Sequence, residues 1–186
     1  GSGCYVTYKG AHLIVTAAHV FDDANTNWLW IVRGKKKVKG HPVYFDKGED
    51  IALVATKPLD MVKPTRLNVR TPYPPVGEEL TYSGYPGRHD LLTIRGEVVG
   101  YQKIWDEREK VVVHTYGWPG ASGSCFFDKR GRMVGVLVAI PIGRGYVPQL
   151  LESMVFATPI KVLDLDKLDK NLCKLHSDIR PRFCGK

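Results

Sequence analysis

Three short stretches, each beside an apolar strand-like run, stand in one order along these 186 residues. They are TAAHV at 16–20, EDIALV at 49–54 and GASGSC at 120–125. Together they supply His19, Asp50 and Ser122. A hydroxyl is a poor nucleophile at neutral pH unless a base takes its proton as it attacks. Imidazole suits that task because it titrates near pH 6.5. A carboxylate hydrogen-bonded to the ring then fixes the tautomer and stabilises the imidazolium that forms. Asp50 is the expected carboxylate, with Glu49 beside it as the alternative.

The glycines around Ser122 add a fourth part. In Gly120-Ala121-Ser122-Gly123 the chain can turn sharply, because glycine tolerates positive φ and crowded backbone. The amides of Gly120 and Ser122 are then expected to point at one spot and to receive an oxyanion. Loss of one such donor costs about 3–4 kcal/mol of barrier. Each motif alone has a plain structural reading: a lone G-x-S-G is a turn, TAAH a strand end, DIAL a capped strand start. Their conjunction and order select the functional reading.

The remaining pattern is many short strands broken by 19 glycines and 12 prolines. Strands are expected at 12–17, 28–33, 38–45 and 51–55, then at 79–84, 91–102, 110–115, 124–127, 133–140 and 154–158. Asp128-Lys129-Arg130-Gly131 reads as a hairpin turn. Apolar Ile160, Leu163, Leu165 and Leu168 fit a short helix within 159–172. The expected organisation is a first barrel at 1–60, a proline-rich connection at 61–78, a second barrel at 79–158, and a helix and tail at 159–186.

These stretches resemble the trypsin-like serine peptidases of the chymotrypsin fold, over about residues 1–165. The order His, Asp, Ser is that of the chymotrypsin double barrel and differs from subtilisin and the α/β-hydrolases. GSGCYV resembles the opening strand, HLIVTAAHV the strand and turn that deliver the histidine, and DIALV the strand that carries the acid. GWPGASGSCFFDKRGRMVGVLVA resembles the nucleophile loop and its hairpin. The resemblance implies an all-β fold of two six-stranded antiparallel barrels with a short C-terminal helix. Within the family the chain is similar to HtrA protease domains and to positive-strand RNA virus proteases. Ser122-Gly123-Ser124 resembles the sobemovirus, polerovirus and astrovirus type, where HtrA loops continue Ser-Gly-Gly-Pro. Viral relatives that cut after Gln or Glu carry a histidine where this chain has Leu137.

The same resemblance places the specificity pocket at Tyr116, Gly117, Leu137, Val138 and Ala139. Those residue types imply an apolar or aromatic residue at P1, the position preceding the scissile bond. Arg144, in Gly143-Arg144-Gly145, offers an acidic P1 as the alternative. His41, His89 and His114 lack the TAAH context and are read as surface or strand-end residues.

Charge and cysteines bound the rest. The formal net charge is +8, and Arg33, Lys35, Lys36, Lys37 and Lys39 form the densest basic run. As a solvated hairpin it keeps an edge strand from pairing; as a patch it offers nonspecific contact to RNA or another anionic surface. Arg180, Arg182 and Lys186 make a basic tail. Cys125 reads as a buried unpaired thiol, and pairing of Cys173 with Cys184 is left open. Four scattered cysteines suggest a reducing compartment, the host cytoplasm if the protein is viral. No cofactor is implied, and no Cys/His cluster has the spacing of a metal site. No apolar run is long enough to cross a bilayer. The chain opens directly on GSGCYV, without a signal peptide, and is expected to be a piece of a longer precursor.

The expected function is a serine endopeptidase that processes a viral polyprotein. The alternatives are a cellular HtrA-like domain and a noncatalytic module of the same fold that binds peptide or RNA.

Overall fold

The computed structural model describes residues 1–21, 28–60, 62–104, 107–143, 149–151 and 153–185. Six strands form the first sheet: β1 (Cys4–Tyr8), β2 (Ala11–Thr16), β3 (Leu29–Arg33), β4 (Lys36–Asp46), β5 (Ile51–Thr56) and β6 (Thr65–Arg66). Their spatial order is β3-β4-β5-β2-β1-β6. All six residues of β5 are buried, which is why IALVAT lacks the apolar–polar alternation of a half-buried strand. Its neighbours β2 and β4 cover both its edges, as befits a central strand.

This first sheet makes up the first of the two expected six-stranded barrels. It is open between β3 and β6, and β6 runs parallel to β1, pairing at Val6 with Thr65 and Thr7 with Arg66. The reason is length. β6 is a two-residue strand drawn from the segment expected as a connection, and it cannot span to β3. The opening leaves a cavity of about 660 Å³, with Tyr5, Ile14, Ile31 and Val54 among its apolar lining.

The second half closes fully. β7 (Glu79–Gly84), β8 (Leu92–Ile104), β9 (Arg108–His114), β10 (Cys125–Phe127), β11 (Met133–Ala139), a two-stranded β12 (Ile142–Gly143) and β13 (Gln149–Leu150), and β14 (Met154–Pro159) follow. The barrel order is β10-β11-β14-β9-β8-β7. Leu80 and Tyr82 of β7 alternate inward and meet Val98, Val113, Phe126 and Leu137 in its core. The expected turn at 128–131 is present. Asp128 Oδ1 accepts the amides of Arg130 and Arg132, and its Oδ2 takes the Arg132 guanidinium at 2.7 Å.

The helix α1 (Leu165–Leu172) is shorter than the expected 159–172, because Pro159 to Val162 belong to the end of β14 and a single 3₁₀ turn. Asp164 caps it by accepting the Lys167 amide at 3.0 Å. Leu168 and Leu172, one turn apart, are fully buried, and Asn171 Nδ2 donates to the Val43 carbonyl of β4. Among the described residues no helix is long and apolar enough to cross a membrane.

Two disulfides are present, Cys4–Cys125 and Cys173–Cys184. The first corrects the expected free thiol at Cys125. Its partner lies 121 residues away, and only folding brings the two Cα atoms to 6.1 Å. The Cys4–Cys125 bridge closes a long loop and ties β1 to β10 across the two halves. Replacing both cysteines with Ala is expected to lower unfolding stability by about 2–5 kcal/mol, read from denaturant midpoints. An unchanged midpoint would contradict that role.

The basic run lies on the β3–β4 hairpin, where Lys35, Lys36, Lys37 and Lys39 are exposed. Trp30 pairs with Lys39 across the hairpin, and Lys39 Nζ stands 4.9 Å from the Trp28 ring centre. Exposed Trp28 and Trp30 thus border lysines to which the sequence does not interleave them.

Candidate active site

β2 ends at Thr16, and buried Ala17 and Ala18 turn the chain into a 3₁₀ turn at Ala18–Phe21 that carries His19. Small residues at 17 and 18 let this turn sit down on the core. Asp50 holds His19 at two points. Its Oδ1 accepts the His19 backbone amide at 2.8 Å, and its Oδ2 lies 2.7 Å from Nδ1. An ionised carboxylate only accepts, so Nδ1 carries the proton and Nε2 is left as the basic nitrogen. The His19 side chain is 47 % exposed and that of Asp50 10 %, so the acid is buried behind the ring and the ring faces solvent. Asp50 has φ +56°, a left-handed backbone that a non-glycine residue adopts at a cost of about 1–3 kcal/mol.

Ser122 sits in a turn fastened from outside. The Gly87 amide donates to the Pro119 carbonyl at 2.7 Å, and Ser2 Oγ donates to the Gly120 carbonyl at 2.8 Å. The Ser2 amide donates to the Ser122 carbonyl at 2.7 Å, and the Ser124 amide to that of Ala121 at 2.9 Å. In a trans peptide the carbonyl of one residue and the amide of the next point oppositely. Anchoring the carbonyls of 119 and 121 therefore turns the amides of Gly120 and Ser122 to the other side. Among the described residues neither amide has an acceptor. Gly120 has φ +99° and Gly123 φ +89°. A Cβ at Gly123 would overlap the Ser2 carbonyl and the Thr16 hydroxyl. The turn therefore packs against the end of β2, three residues before His19.

The other expected site residues divide. Tyr116 is 45 % exposed and stacks beside Trp118, whose ring centre is 5.5 Å away. Buried Tyr82 donates its phenol to the Tyr116 carbonyl, and burial pushes that phenol up to about 12, so it stays a donor through the neutral range. Gly117 is buried, and a Cβ there would meet Val155 and Ile140. Leu137 points into the core of the second barrel with Tyr82 and Phe126, Val138 belongs to the other hydrophobic cluster, and Ala139 is half-buried at the strand end. The side chains next to Gly117 are thus Val155 and Ile140, which sequence reasoning did not single out. Arg144 and Lys186 lie outside the described residues. His41 is half-buried on β4, while His89 and His114 are exposed.

Ser2 was also missed. Nothing in a Gly-Ser-Gly opening marks a serine that receives the Tyr85 amide and braces the Gly120 carbonyl. Among the described residues no group of three or more His, Cys, Asp or Glu stands where it could hold a metal ion.

Residues 1–136 match the trypsin-like peptidase domain family. No curated protein matches the chain. Among solved structures, the Rv3671c protease of M. tuberculosis in its active form superposes with a TM-score of 0.66 at 19% identity, covering 92% of this chain and 71% of that one. The HtrA-type protease AlgW with a decapeptide superposes with a TM-score of 0.69 at 18% identity, covering 92% of this chain and 50% of that one. At these identities both share the fold with this chain.

Proposed function

Since the chain belongs to the trypsin-like peptidase domain family and is thus a chymotrypsin-like serine peptidase, we propose that it cleaves polypeptides internally with Ser122 as nucleophile, His19 as base and Asp50 as the acid behind it. The observation that carries this is the two-point grip of Asp50 on His19 beside a serine turn whose two amides are turned outward. Ser122 Oγ attacks the scissile carbonyl carbon while His19 Nε2 takes its proton. The carbonyl oxygen becomes an oxyanion and accepts the amides of Gly120 and Ser122. Collapse breaks the C–N bond, and His19 returns the proton to the leaving amine. A water then attacks the acyl-enzyme with His19 again as base, which restores Ser122. Asp50 stays ionised throughout and stabilises the imidazolium. An activated ester should give a burst of one equivalent of leaving group per enzyme before steady turnover. Strictly linear release at every enzyme concentration would count against an acyl-enzyme.

For specificity we propose an apolar or aromatic P1 residue. Tyr116 is exposed beside Gly117, whose neighbours Val155 and Ile140 are apolar, and burying an apolar side chain against such residues contributes about 1.5–3 kcal/mol. A peptide library should show Phe, Leu or a similar residue leading at P1. Dominant Lys or Arg would mean that the pocket lies elsewhere, and dominant Glu that weakens on Arg144→Ala would assign the pocket to Arg144.

The substrate we propose is a precursor polypeptide, as for the positive-strand RNA virus proteases that Ser122-Gly123-Ser124 resembles. An HtrA-like quality-control role is the alternative. The two separate on an unfolded protein such as casein: precursor processing predicts few cuts within one motif, quality control predicts many. The hairpin bearing Trp28, Trp30, Lys37 and Lys39 supports a nonspecific anionic contact as well. Salt-sensitive quenching of tryptophan fluorescence by oligouridylate would bear that out, and no quenching at low salt would dismiss it.

A further inference from the structure

Asp50 immediately precedes β5 of the first sheet, yet the peptide bond before it is held by the second barrel. Lys110 of β9 and Thr158 of β14 both donate to the Glu49 carbonyl, at 3.1 Å from Nζ and 2.6 Å from Oγ1. Val111 pairs with Ala157, so these two side chains leave neighbouring strands one position beyond that pair. Both residues are fully buried. Lys110 Nζ also lies 2.7 Å from Glu49 Oε2, and Arg108 Nη1 lies 2.9 Å from Oε1.

Stability alone does not explain this arrangement. A buried ion pair is often replaceable by well-packed apolar side chains at no loss. Lys110 stands at the head of an otherwise apolar run, Val111 to Val113, where another aliphatic residue would fit the strand. What an aliphatic residue cannot do is donate to a carbonyl. The carbonyl that receives both donors is the one whose peptide plane sets the Asp50 amide and its left-handed φ of +56°.

We propose that Lys110 and Thr158 are positioning residues that lock the 49–50 peptide, so that the Asp50 carboxylate reaches both the amide and Nδ1 of His19. The inference rests on the reading of Asp50 as the acid of the triad. It also accounts for Glu49, the competing carboxylate in the sequence. Glu49 is taken up by Lys110 and Arg108, and its backbone carries the constraint that serves its neighbour. Through this contact the second barrel, which holds Ser122, also sets the acid of the first.

The test uses three variants with Asp50→Asn measured alongside. Thr158→Val deletes one donor with little change of shape and leaves the Glu49 ion pairs in place. Its kcat should fall about tenfold with KM within about twofold, since a small misplacement of a catalytic group costs up to ~10²-fold. The NMR signal of the His19 Nδ1 proton should move upfield as its bond to Asp50 lengthens, while the melting temperature stays close to the parent's. Lys110→Met leaves Glu49 with Arg108 alone and endangers folding, so it is compared with Glu49→Leu/Lys110→Met, which removes both partners. That double variant should fold and still show the low kcat and the shifted His19 signal. Thr158→Val and the double variant turning over like the parent, with the His19 signal unmoved, would overturn the inference while loss in Asp50→Asn leaves the triad standing. Parent-like turnover in Asp50→Asn itself would overturn the triad and this inference with it.

Discussion

Ser122→Ala abolishes peptide hydrolysis to within a residual rate, a loss of roughly 10⁴–10⁶-fold in kcat, and leaves the fold unchanged. The size follows from roles that act as a unit: without the hydroxyl there is no acyl-enzyme, and His19 and Asp50 have nothing to activate. The fold survives because the turn is held by backbone and by Ser2. The Ser122 carbonyl still receives the Ser2 amide, and the Gly120 carbonyl still receives Ser2 Oγ. Ser124 is no substitute. Its Oγ is fully buried, has no hydrogen-bond partner among the described residues, and faces Gly84. The measurement is turnover of a fluorogenic peptide by the purified variant, with its melting curve beside the parent's. Retained turnover in a folded variant would refute the assignment.

The second large effect is on the pair behind the serine. His19→Ala should cost as much as Ser122→Ala, and the double variant no more than either, because each single change already removes the concerted step. Asp50→Asn acts differently. An amide presents an N–H where the carboxylate accepts, so it favours the imidazole tautomer that has no free base at Nε2, and kcat falls by about 10⁴-fold. Asp50→Asn should keep KM near the parent value, since the acid is buried behind the ring and away from substrate. Glu49→Gln, by contrast, keeps an intact His19–Asp50 contact and should retain far more activity than Asp50→Asn. If Glu49→Gln were the more damaging of the two, the acid would have been misassigned.

Local pattern carried much of this chain and stopped where contacts became long-range. The strands of the second half and the turn at Asp128 follow from alternation and turn chemistry within a few residues. The motifs around His19, Asp50 and Ser122 are likewise contiguous. The open first sheet was not legible, because strand count and closure depend on whether a two-residue β6 can reach β3. The Cys4–Cys125 bridge was not legible either, since its partners are 121 residues apart. Ser2 and Lys110 look unremarkable in sequence and gain their roles only through backbone groups of distant segments. The pocket residues show the same limit at finer grain. A one-residue step along β11 decides which side chains enter the core, and the register shift between Leu137 and Ala139 re-aims the strand there.

A single activated serine is read most directly by covalent capture. A fluorophosphonate incubated with the folded protein, followed by peptide mass mapping, reads which hydroxyl is activated. The arrangement of His19, Asp50 and the two outward amides predicts one adduct per chain, on Ser122, formed far more slowly in His19→Ala and absent in Ser122→Ala. An adduct on another residue, or peptide hydrolysis that continues after full labelling at Ser122, would contradict it.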